Sequence, residues 1–382
     1  MTLVNIDDLR QAARRRLPKL FFDYIDGGSF AETTLRANRT DFGRYRLEQR
    51  VLTGTAAEPD LATTFLGRRH ALPFMPGPVG FMGLYRGGGE VLAARAAHRA
   101  GVPFCLSTFS IASIGTLARQ APGELHFQLY VLTDRSLLDE LLQAATAAGV
   151  ETLYLTVDTA ITAIREKDVR NGFRSATRPT PRMLAGMALR PAWCLDVVRA
   201  GWPAVEAVSH RPDFGRGALE QAANLSRRID KTLTWDDVAA LRARWPGRLV
   251  IKGVLSAADA VRARDSGADG VVISNHGGRQ LDGASSTIAV LEEVRTAVGP
   301  QFDVLIDGGF RRGSDIACAL ALGASGILLG RAVAFGLAAG GEAGVARALE
   351  ILRTELALTL ALMGLPSVDA LKAAGPAAIR PA

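Results

Sequence analysis

The feature that most constrains this chain is a regular alternation of short apolar runs with longer helical patterns. The intervening segments are rich in Ala and Leu, carry charges on one face and usually end at glycine. The predicted strands are Pro73–Val79, Phe104–Ser107, Phe127–Tyr130, Thr152–Val157, Leu249–Lys252, Val271–Ser274, Val304–Asp307 and Gly326–Leu329. Eight strand-helix pairs favour an α/β fold of the closed (β/α)8 TIM barrel type over an open doubly wound sheet. The open sheet stays as the alternative, since closure does not show in a sequence.

Two segments fall outside the alternation. Residues 1–70 contain helical patterns at Ile6–Arg16 and Lys19–Ile25, and we expect them to form an N-terminal cap. The second segment, 170–232, follows the fourth strand and is too long for an ordinary loop. We expect both to belong to a single barrel domain that spans 1–382.

The insertion at 170–232 is apolar and basic. Its part from 177 to 212 carries Trp193 and Trp202 among Met, Leu and Val residues, with more arginines than acidic residues. Such a segment can lie on a membrane surface. It can also be a lid over an active site or a contact between subunits, and these interpretations stay open.

Composition argues against several other classes of protein. Cys105, Cys194 and Cys318 are far apart, so the sequence predicts neither a disulfide framework nor a metal site. We expect no secretory signal, because the N-terminal residues lack a positive region followed by an apolar one. No window reaches about 18 uninterrupted apolar residues, and a cytoplasmic location fits best. The net charge of +7 comes from dispersed basic residues without a nucleic-acid motif, so we expect no nucleic-acid partner.

The sixth strand runs directly into the segment Ser274–Gly283, with the sequence SNHGGRQLDG. His276 can take a proton near neutral pH. Arg279 can bind a carboxylate through two parallel hydrogen bonds. Because α/β folds place catalytic groups at the carboxyl ends of strands, this segment is a candidate wall of an active site. Taken alone, a His-Arg pair more often belongs to an ordinary loop, in which His276 would bond a carbonyl and Arg279 would face solvent.

Polar residues also follow other strands, and in a closed barrel they would converge on one mouth. They are Ser107, Gln128, Tyr130, Thr156, Asp158, Arg165 and Lys252. A lysine that closes an apolar strand needs an anion beside it, unless its stem carries the ammonium to solvent.

Glycine-rich turns with guanidinium groups follow the last two strands, at Asp307–Gly313 and Gly330-Arg331. This arrangement binds phosphate, and barrels commonly place a phosphate there. Together with the amide and hydroxyl groups and Lys252, the turns describe a site for FMN with a small anionic substrate above it. From the cap, Tyr24 either joins this site or is a core tyrosine.

These motifs resemble those of the FMN-dependent L-2-hydroxy acid dehydrogenase/oxidase family, which includes L-lactate dehydrogenase, lactate oxidase, (S)-mandelate dehydrogenase and glycolate oxidase. The resemblance covers nearly the whole chain. It is carried by Leu17–Lys19, Phe127–Tyr130, Leu155–Asp158, Lys252-Gly253, Ser274–Asp282, Asp307–Gly309 and Gly330-Arg331. The signature Ser274–Asp282 is highly specific to the family.

The resemblance implies roles for individual residues. His276 would be the catalytic base, Asp158 its charge partner, and Tyr130 would contact the hydroxyl or carboxylate end of the substrate. The substrate would be bound by Tyr24, Tyr130, Arg165, Arg279 and His276. FMN would contact Val79, Gly80, Ser107, Gln128, Thr156, Lys252, Ser274, Asp307, Gly309, Arg311, Gly330 and Arg331.

The implied reaction oxidises an L-2-hydroxy acid of the lactate or mandelate type to the 2-oxo acid. His276 would take either the hydroxyl proton, with hydride going to flavin N5, or the Cα proton, with a carbanion then reducing the flavin. In both cases Asp158 would stabilise the imidazolium and Lys252 the reduced flavin.

The insertion resembles, more loosely, that of bacterial membrane-associated lactate and mandelate dehydrogenases. This resemblance implies that electrons pass to a quinone or another acceptor. It also implies peripheral contact with the inner face of the cytoplasmic membrane through residues 177–212, while the family as a whole implies a homotetramer.

Several positions depart from the usual pattern of the family. Val79 stands where threonine is common, and Thr108-Phe109 replace the more usual Ser and Trp or Tyr. Gly80 is glycine, as in dehydrogenase-like members, where oxidases often have alanine. Residues 160–164 lack the proline and the arginine commonly seen there.

Other functions stay open. An oxidase would pass the electrons to O2 and release H2O2. A phosphate-binding barrel with isomerase or nucleotide chemistry would leave Tyr24, Asp158 and Arg165 without a role. A flavin carrier without catalytic activity would leave His276 unexplained.

Overall fold

The structure, a computed structural model, describes residues 2–54, 58–173 and 180–382. It begins with three helices, α1 (Ile6–Arg16), α2 (Lys19–Asp26) and α3 (Thr33–Thr40). α1 begins where the Asn5 side chain accepts a hydrogen bond from the Asp8 N–H, and it has aspartates in its first turn and arginines in its last. That order of charges complements the helix dipole. The two helices expected in the cap are therefore present, the second one residue longer than predicted.

Three short strands precede the barrel: β1 (Tyr45–Leu47), β2 (Thr63–Phe65) and β3 (Arg68–His70). β2 and β3 pair antiparallel as a hairpin. The two turn residues, Leu66 and Gly67, have φ values of 49° and 67°. Positive φ at both positions is the type I′ pattern, which matches the twist of the strands.

Eight parallel strands form the centre of the fold. They are β4 (Phe74–Pro76), β5 (Phe104–Ser107), β6 (Leu125–Leu129), β7 (Thr152–Thr156), β8 (Arg248–Val254), β9 (Gly270–Ile273), β10 (Asp303–Ile306) and β11 (Gly326–Leu329). Hydrogen bonds join them in the order β5 to β11 and then β4, and β4 and β5 approach within 8 Å at the remaining seam. Their side chains are almost all buried, because helices cover the outside and side chains fill the interior. The predicted (β/α)8 barrel is confirmed.

Helices follow the strands in the order that the sequence predicts. They are α4 (Met82–Tyr85), α5 (Gly89–Arg99), α6 (Ile114–Gln120), α7 (Arg135–Ala147), α8 (Glu166–Asn171), α9 (Pro181–Ala188), α10 (Pro191–Arg199), α11 (Ala218–Arg227), α12 (Trp235–Arg244), α13 (Ala257–Asp265), α14 (Thr287–Val298), α15 (Gly313–Ala321), α16 (Arg331–Leu362) and α17 (Val368–Ala374). A last strand, β12 (Ile379–Pro381), pairs antiparallel with β1. The last strand is thus joined to the segment that follows the cap helices.

The helix α16 is interrupted at Gly340 and Gly341, whose dihedral angles are not helical. By length and composition it could cross a membrane, but 67% of its most apolar window is buried. It packs against α1, α5 and α15. We therefore interpret α16 as a core helix of the barrel.

The strand boundaries differ from the prediction by no more than one residue at most strands and by two or three residues at β4, β6 and β8. β4 ends at Pro76 and not at Val79, because the chain turns there and Phe81 takes a φ of 62° before α4 begins. β6 begins at Leu125, which pairs with Phe104 of β5. Pairing with a neighbouring strand, which no local pattern reveals, sets this start.

Helices α8 to α11 belong to or border the predicted insertion, which is anchored to the barrel. Asp196 of α10 forms ion pairs of 3.2 Å with Arg16 and with Arg86. Trp193 donates its indole N–H to the Leu84 carbonyl at 2.8 Å. Residues 174–179, which include the start of the 177–212 segment, lie outside the described residues.

Candidate active site

The carboxyl ends of the barrel strands surround one cleft, which encloses about 1240 Å³ counted out to its open mouth. The predicted site residues that line it are Tyr24, Val79, Gly80, Ser107, Gln128, Tyr130, Thr156, Arg165, Lys252, His276, Arg279, Asp307, Gly309, Arg311, Gly330 and Arg331. The other two, Asp158 and Ser274, are hydrogen-bonded to His276 and Lys252, respectively, from behind the cleft wall. The barrel thus brings residues that are distant in the sequence into one site.

His276 and Asp158 form a largely buried pair. Nδ1 of His276 lies 3.0 Å from Oδ1 of Asp158, which fixes the ring and leaves Nε2 for the cleft. Burial, together with the charges of Lys252 and Arg165, lowers the pKa of His276 although Asp158 raises it, so the imidazole is neutral at pH 7. Burial alone would raise the pKa of Asp158, but His276, Lys252 and a backbone hydrogen bond together outweigh it and the pKa is lowered. A neutral imidazole backed by a carboxylate can accept a proton and stabilise the resulting charge.

The loop that carries His276 has an unusual backbone. His276 has a φ of 56° and Gly278 a φ of 74°, a region that glycine adopts without steric cost. A Cβ on Gly278 would lie 2.5 Å from the backbone of Leu35. The side-chain amides of Asn38 and Asn275 exchange two hydrogen bonds of 2.8 Å, which tie the loop to α3. The cap therefore helps to position His276.

Two arginines and a tyrosine make one part of the cleft positive. The guanidinium carbon of Arg279 is 4.5 Å from the centre of the Tyr24 ring, and Nη1 donates to the Gly27 carbonyl at 2.9 Å. Arg165 is buried, and its Nε donates to the Arg279 carbonyl at 3.4 Å. Arg165 also forms a long ion pair of 3.9 Å with Asp168. This surplus of positive charge suits a substrate carboxylate.

Aromatic side chains form an apolar wall of the same cleft. The rings of Phe109 and Tyr130 are 5.3 Å apart, and those of Phe109 and Phe81 are 5.6 Å apart. Burial raises the pKa of Tyr130, so its hydroxyl stays protonated and can donate a hydrogen bond. A Cβ on Gly80 would lie 2.9 Å from Cβ of Phe109. Phe109 can therefore keep this position only because residue 80 has no side chain.

Lys252 is buried at the end of β8 and is held on two sides. Its Nζ lies 2.9 Å from Oδ2 of Asp307 and 2.9 Å from Oγ of Ser274. Burial lowers the pKa of Lys252, but Asp307 and Asp158 more than offset this and the pKa is raised, so the ammonium stays charged. The next residue, Gly253, lies at a bulge with φ 109°, and a Cβ there would be 2.6 Å from Cβ of Asp158. Glycine is required at 253 for Asp158 to reach the site.

The unpartnered polar atoms in the cleft are of the kinds that FMN would satisfy. Six buried polar atoms of lining residues have no hydrogen-bond partner within the described part of the chain: Gln128 Nε2, Thr156 Oγ1, Thr159 Oγ1, Gln280 Oε1, Asp307 Oδ1 and Arg311 Nε. Buried polar atoms without partners are costly, so a set of them in one cleft indicates a bound group. An amide donor and a hydroxyl suit the edge of a flavin ring, a carboxylate suits ribityl hydroxyls, and a guanidinium suits a phosphate.

The phosphate end of such a ligand would meet Arg311 and the start of α16. Burial lowers the pKa of Arg311 to about 10 and that of Arg331 to about 9, with neighbouring arginines adding to the effect. The Arg331 side chain donates to three backbone carbonyls at 2.7–2.8 Å, which fixes its guanidinium, and its backbone N–H at the helix start, next to Gly330, can also bind an anion. A Cβ on Gly309 would lie 1.8 Å from the Asn38 carbonyl oxygen, which excludes any larger residue.

The structure adds residues to which the sequence analysis assigned no role. Gln280 donates to the carbonyls of Asp158 at 2.6 Å and Ile161 at 2.8 Å, so it fixes the loop after β7. Gln280 stands within the signature, where its role could have been suspected. Asn38 and Ile229 carry no motif, and only long-range packing brings them to the site.

The chain is similar to known flavoenzymes over almost its entire length. A family model described as FMN-dependent dehydrogenase matches residues 13–377. An L-lactate dehydrogenase of Caulobacter vibrioides (strain NA1000 / CB15N) is 44% identical over 96% of each chain. An (S)-mandelate dehydrogenase of Pseudomonas putida is 43% identical, over 97% of this chain and 92% of the relative.

Solved structures agree with these sequence relatives. The crystal structure of the monotopic membrane protein (S)-mandelate dehydrogenase has a TM-score of 0.94 and 40% identity, with both chains covered fully. A mandelate oxidase crystallised with (S)-4-hydroxymandelic acid has a TM-score of 0.84 and 37% identity over 97% of each chain.

Proposed function

The chain belongs to the family of FMN-dependent dehydrogenases, and we propose that the cleft described above is its active site. The protein is an FMN-dependent oxidoreductase that oxidises the CH–OH group of an L-2-hydroxy acid to give the 2-oxo acid. One observation carries the assignment of the site. A neutral histidine backed by a carboxylate faces the same cleft as two arginines and six unpartnered buried polar atoms.

Binding of the substrate is assigned to the positive part of the cleft. Arg165 and Arg279 pair with the carboxylate, which every 2-hydroxy acid has, and Tyr24 and Tyr130 donate hydrogen bonds to its polar end. Because both arginines are held by backbone carbonyls, the carboxylate is bound in one orientation. That orientation presents the carbon that carries the hydroxyl group to His276.

Proton transfer is assigned to His276. Its Nε2 takes either the hydroxyl proton or the Cα proton of the substrate, and Asp158 stabilises the imidazolium that results. FMN, when bound, accepts the two electrons that leave the substrate carbon. Lys252 holds a fixed positive charge beside Gln128 and Thr156, the groups assigned to the flavin ring, so negative charge arriving there is stabilised.

The test is an anaerobic titration of the oxidised protein with L-lactate, (S)-mandelate, glycolate and longer 2-hydroxy acids, followed by flavin absorbance. We expect bleaching by at least one L-acid, with the 2-oxo acid formed in equal amount. The matched control is His276→Asn, which should stay yellow and bind FMN but lose bleaching. A yellow wild-type protein that no 2-hydroxy acid bleaches would contradict the assignment.

The acceptor of the electrons is proposed to be a quinone or a similar carrier and not O2. Relatives named dehydrogenases support this, as does Gly80, which in the resemblance marks dehydrogenase-like members. The oxidase is the second candidate, favoured by the similarity to a mandelate oxidase. Exposure of the reduced enzyme to air separates the two, since fast reoxidation with release of H2O2 would establish the oxidase.

Peripheral binding to a membrane is proposed for the insertion. Its outer face exposes large apolar side chains, with Trp202 85%, Leu189 74% and Val198 72% accessible. An exposed apolar patch of this kind marks an interaction surface, and arginines beside it suit anionic lipids. Support also comes from the similar (S)-mandelate dehydrogenase, which is a monotopic membrane protein.

The test of membrane binding is co-sedimentation with vesicles of anionic and zwitterionic lipids. The double variant Leu195→Ser/Val198→Ser should stay in the supernatant. Its matched control, Leu358→Ser/Leu362→Ser, removes two equally exposed leucines from α16 and should still bind. Equal binding of both variants would refute a role for the insertion. A site at the inner face of the cytoplasmic membrane follows as part of the same proposal.

A homotetramer is the assembly that the family resemblance implies. Light scattering on the detergent-solubilised protein tests it directly. A mass near four times 40.5 kDa would support the tetramer, and a monomer would exclude it.

A further inference from the structure

A second cavity adjoins the substrate cleft. It encloses about 1840 Å³, counted out to its open mouth, between α7, α12 and the ends of β7 and β8. Its lining includes a group of buried apolar side chains: Val131, Leu138, Leu155, Val238 and Leu241. The cavity could therefore take an aliphatic chain.

Two residues line both cavities, Thr156 and Ile229. Thr156 belongs to β7, and its hydroxyl is assigned to the cofactor. Ile229 comes from the end of the insertion, and its side chain is buried. Ile229 is thus the part of the shared wall that does not belong to the barrel.

The position of Ile229 is well fixed by its backbone. It forms an antiparallel bridge with Leu132, and the next residue, Asp230, donates its N–H to the Val131 carbonyl at 2.9 Å. Leu132 is two residues beyond Tyr130, which lines the substrate cleft. The insertion is therefore attached to the loop that carries Tyr130, and Ile229 forms an apolar part of the wall of the substrate cleft.

We propose that Ile229 determines the length of substrate that the enzyme accepts, because its side chain separates the substrate cleft from the second cavity. This inference rests on the proposed function. With isoleucine in place, L-2-hydroxy acids with short or compact side chains are oxidised and long aliphatic ones are excluded. With a small residue there, the cavities join and a long chain can extend between α7 and α12.

The experiment compares L-lactate with (S)-2-hydroxyoctanoate in the holoenzymes of wild type, Ile229→Val and Ile229→Ala. The kcat/KM ratio of the long acid to lactate should rise by roughly 10- to 200-fold in Ile229→Ala, the range that one added methylene in an apolar pocket spans. Ile229→Val should give a smaller rise. Flavin reduction by L-lactate in each variant gives the reference for the short acid.

Two further variants test whether the effect comes from opening the wall at Ile229. Leu233→Ala enlarges the second cavity without opening it to the cleft, because Leu233 lines the second cavity and not the cleft. It should leave the ratio unchanged. Adding Leu138→Phe to Ile229→Ala fills the cavity with a ring and should abolish the gain.

A binding measurement makes the inference independent of turnover. 2-Oxooctanoate and pyruvate are titrated into each oxidised holoenzyme, and the Kd is read from the change in flavin absorbance. Ile229→Ala should bind 2-oxooctanoate more tightly than wild type and pyruvate equally. An unchanged ratio and an unchanged Kd in Ile229→Ala would overturn the proposal, as would a wild type that prefers the long acid. If no 2-hydroxy acid bleaches the wild type, the proposed function fails, and the binding arm still decides the role of Ile229.

Discussion

Replacing Asp158 by asparagine probes the chemistry most directly. The substitution keeps the size and one hydrogen-bonding oxygen of the side chain, but it removes the negative charge that faces His276. The neutral imidazole of the resting enzyme loses little electrostatic stabilisation. The imidazolium formed during the reaction loses its charge partner, so the effect falls on the rate of flavin reduction and not on substrate binding.

The magnitude follows from the geometry of the pair. The Nδ1 and Oδ1 atoms are 3.0 Å apart, and two unit charges at that distance interact by about 5.5 kcal/mol at an effective dielectric constant of ~20. Because Lys252 also interacts with Asp158, we expect the charge of Asp158 to stabilise the imidazolium by about 3–4 kcal/mol. That energy corresponds to a decrease of roughly 10²- to 10³-fold in the rate.

The assay is anaerobic stopped-flow reduction of the flavin at saturating substrate across pH 5 to 9. Asp158 raises the pKa of His276 against the effect of burial, so Asp158→Asn should also move the base limb of the pH profile to lower pH. Asp303→Asn is the matched control. It makes the same change at the start of β10, where the carboxylate accepts a bond from the Leu66 N–H, and should leave both readouts unchanged.

Two results would refute this reasoning. A reduction rate within tenfold of wild type would show that the charge of Asp158 does not act on the transition state. A base limb that moves to higher pH would show that the group titrating in the profile is not His276. Equal melting temperatures of wild type and Asp158→Asn would exclude a loss of fold as the cause.

Three further predictions rest on other parts of the molecule. Arg279→Lys keeps the charge but loses the planar fork, so KM for the 2-hydroxy acid should rise roughly 10- to 100-fold, about 1.4–2.7 kcal/mol; an unchanged KM in steady-state assays would be evidence against a role in carboxylate binding. Gln128→Leu removes one of the unpartnered donors, so FMN should bind roughly fivefold to tenfold more weakly, about 1–1.4 kcal/mol, as measured by quenching of flavin fluorescence; equal affinity would count against the assigned contact. Burial lowers the pKa of His126, which hydrogen-bonds Glu124 at 2.9 Å, so the unfolded chain binds the proton more tightly. The contribution of the neutral His126 to the free energy of unfolding is complete above pH about 6.5 and is lost as the pH falls below that value. Urea unfolding at pH 8.0 and 5.5 measures this loss, and a protein that is more stable at pH 5.5 would disprove the prediction.

The sequence predicted the architecture well because its signals are local. Each barrel strand is a short apolar run bounded by glycine or polar residues, and each pattern can be read without its neighbours. The limits of β4 and β6 were less accurate, since Leu125 joins its strand by pairing with Phe104. Such pairing depends on residues far away in the chain.

The candidate site was predictable to the extent that its residues stand at strand ends. His276 and Asp307 follow β9 and β10, Lys252 lies near the end of β8, and the order of the barrel strands brings them into one cleft. Ser274 was expected to touch the cofactor. The structure places its hydroxyl against Lys252 Nζ at 2.9 Å, where it positions the ammonium, so direct contact with FMN stays a prediction.

By itself, the sequence determined the chemistry that this protein can perform, because a histidine, an arginine and glycine-rich turns at the ends of eight strands specify groups and their order. Only the tertiary structure decided how these groups work together. The 3.0 Å approach of His276 to Asp158 and the unpartnered atoms that leave room for a cofactor depend on packing between distant segments. So does the position of Ile229 between two cavities. Contacts of this kind are set by the free energy of the whole fold, which no short stretch of sequence encodes.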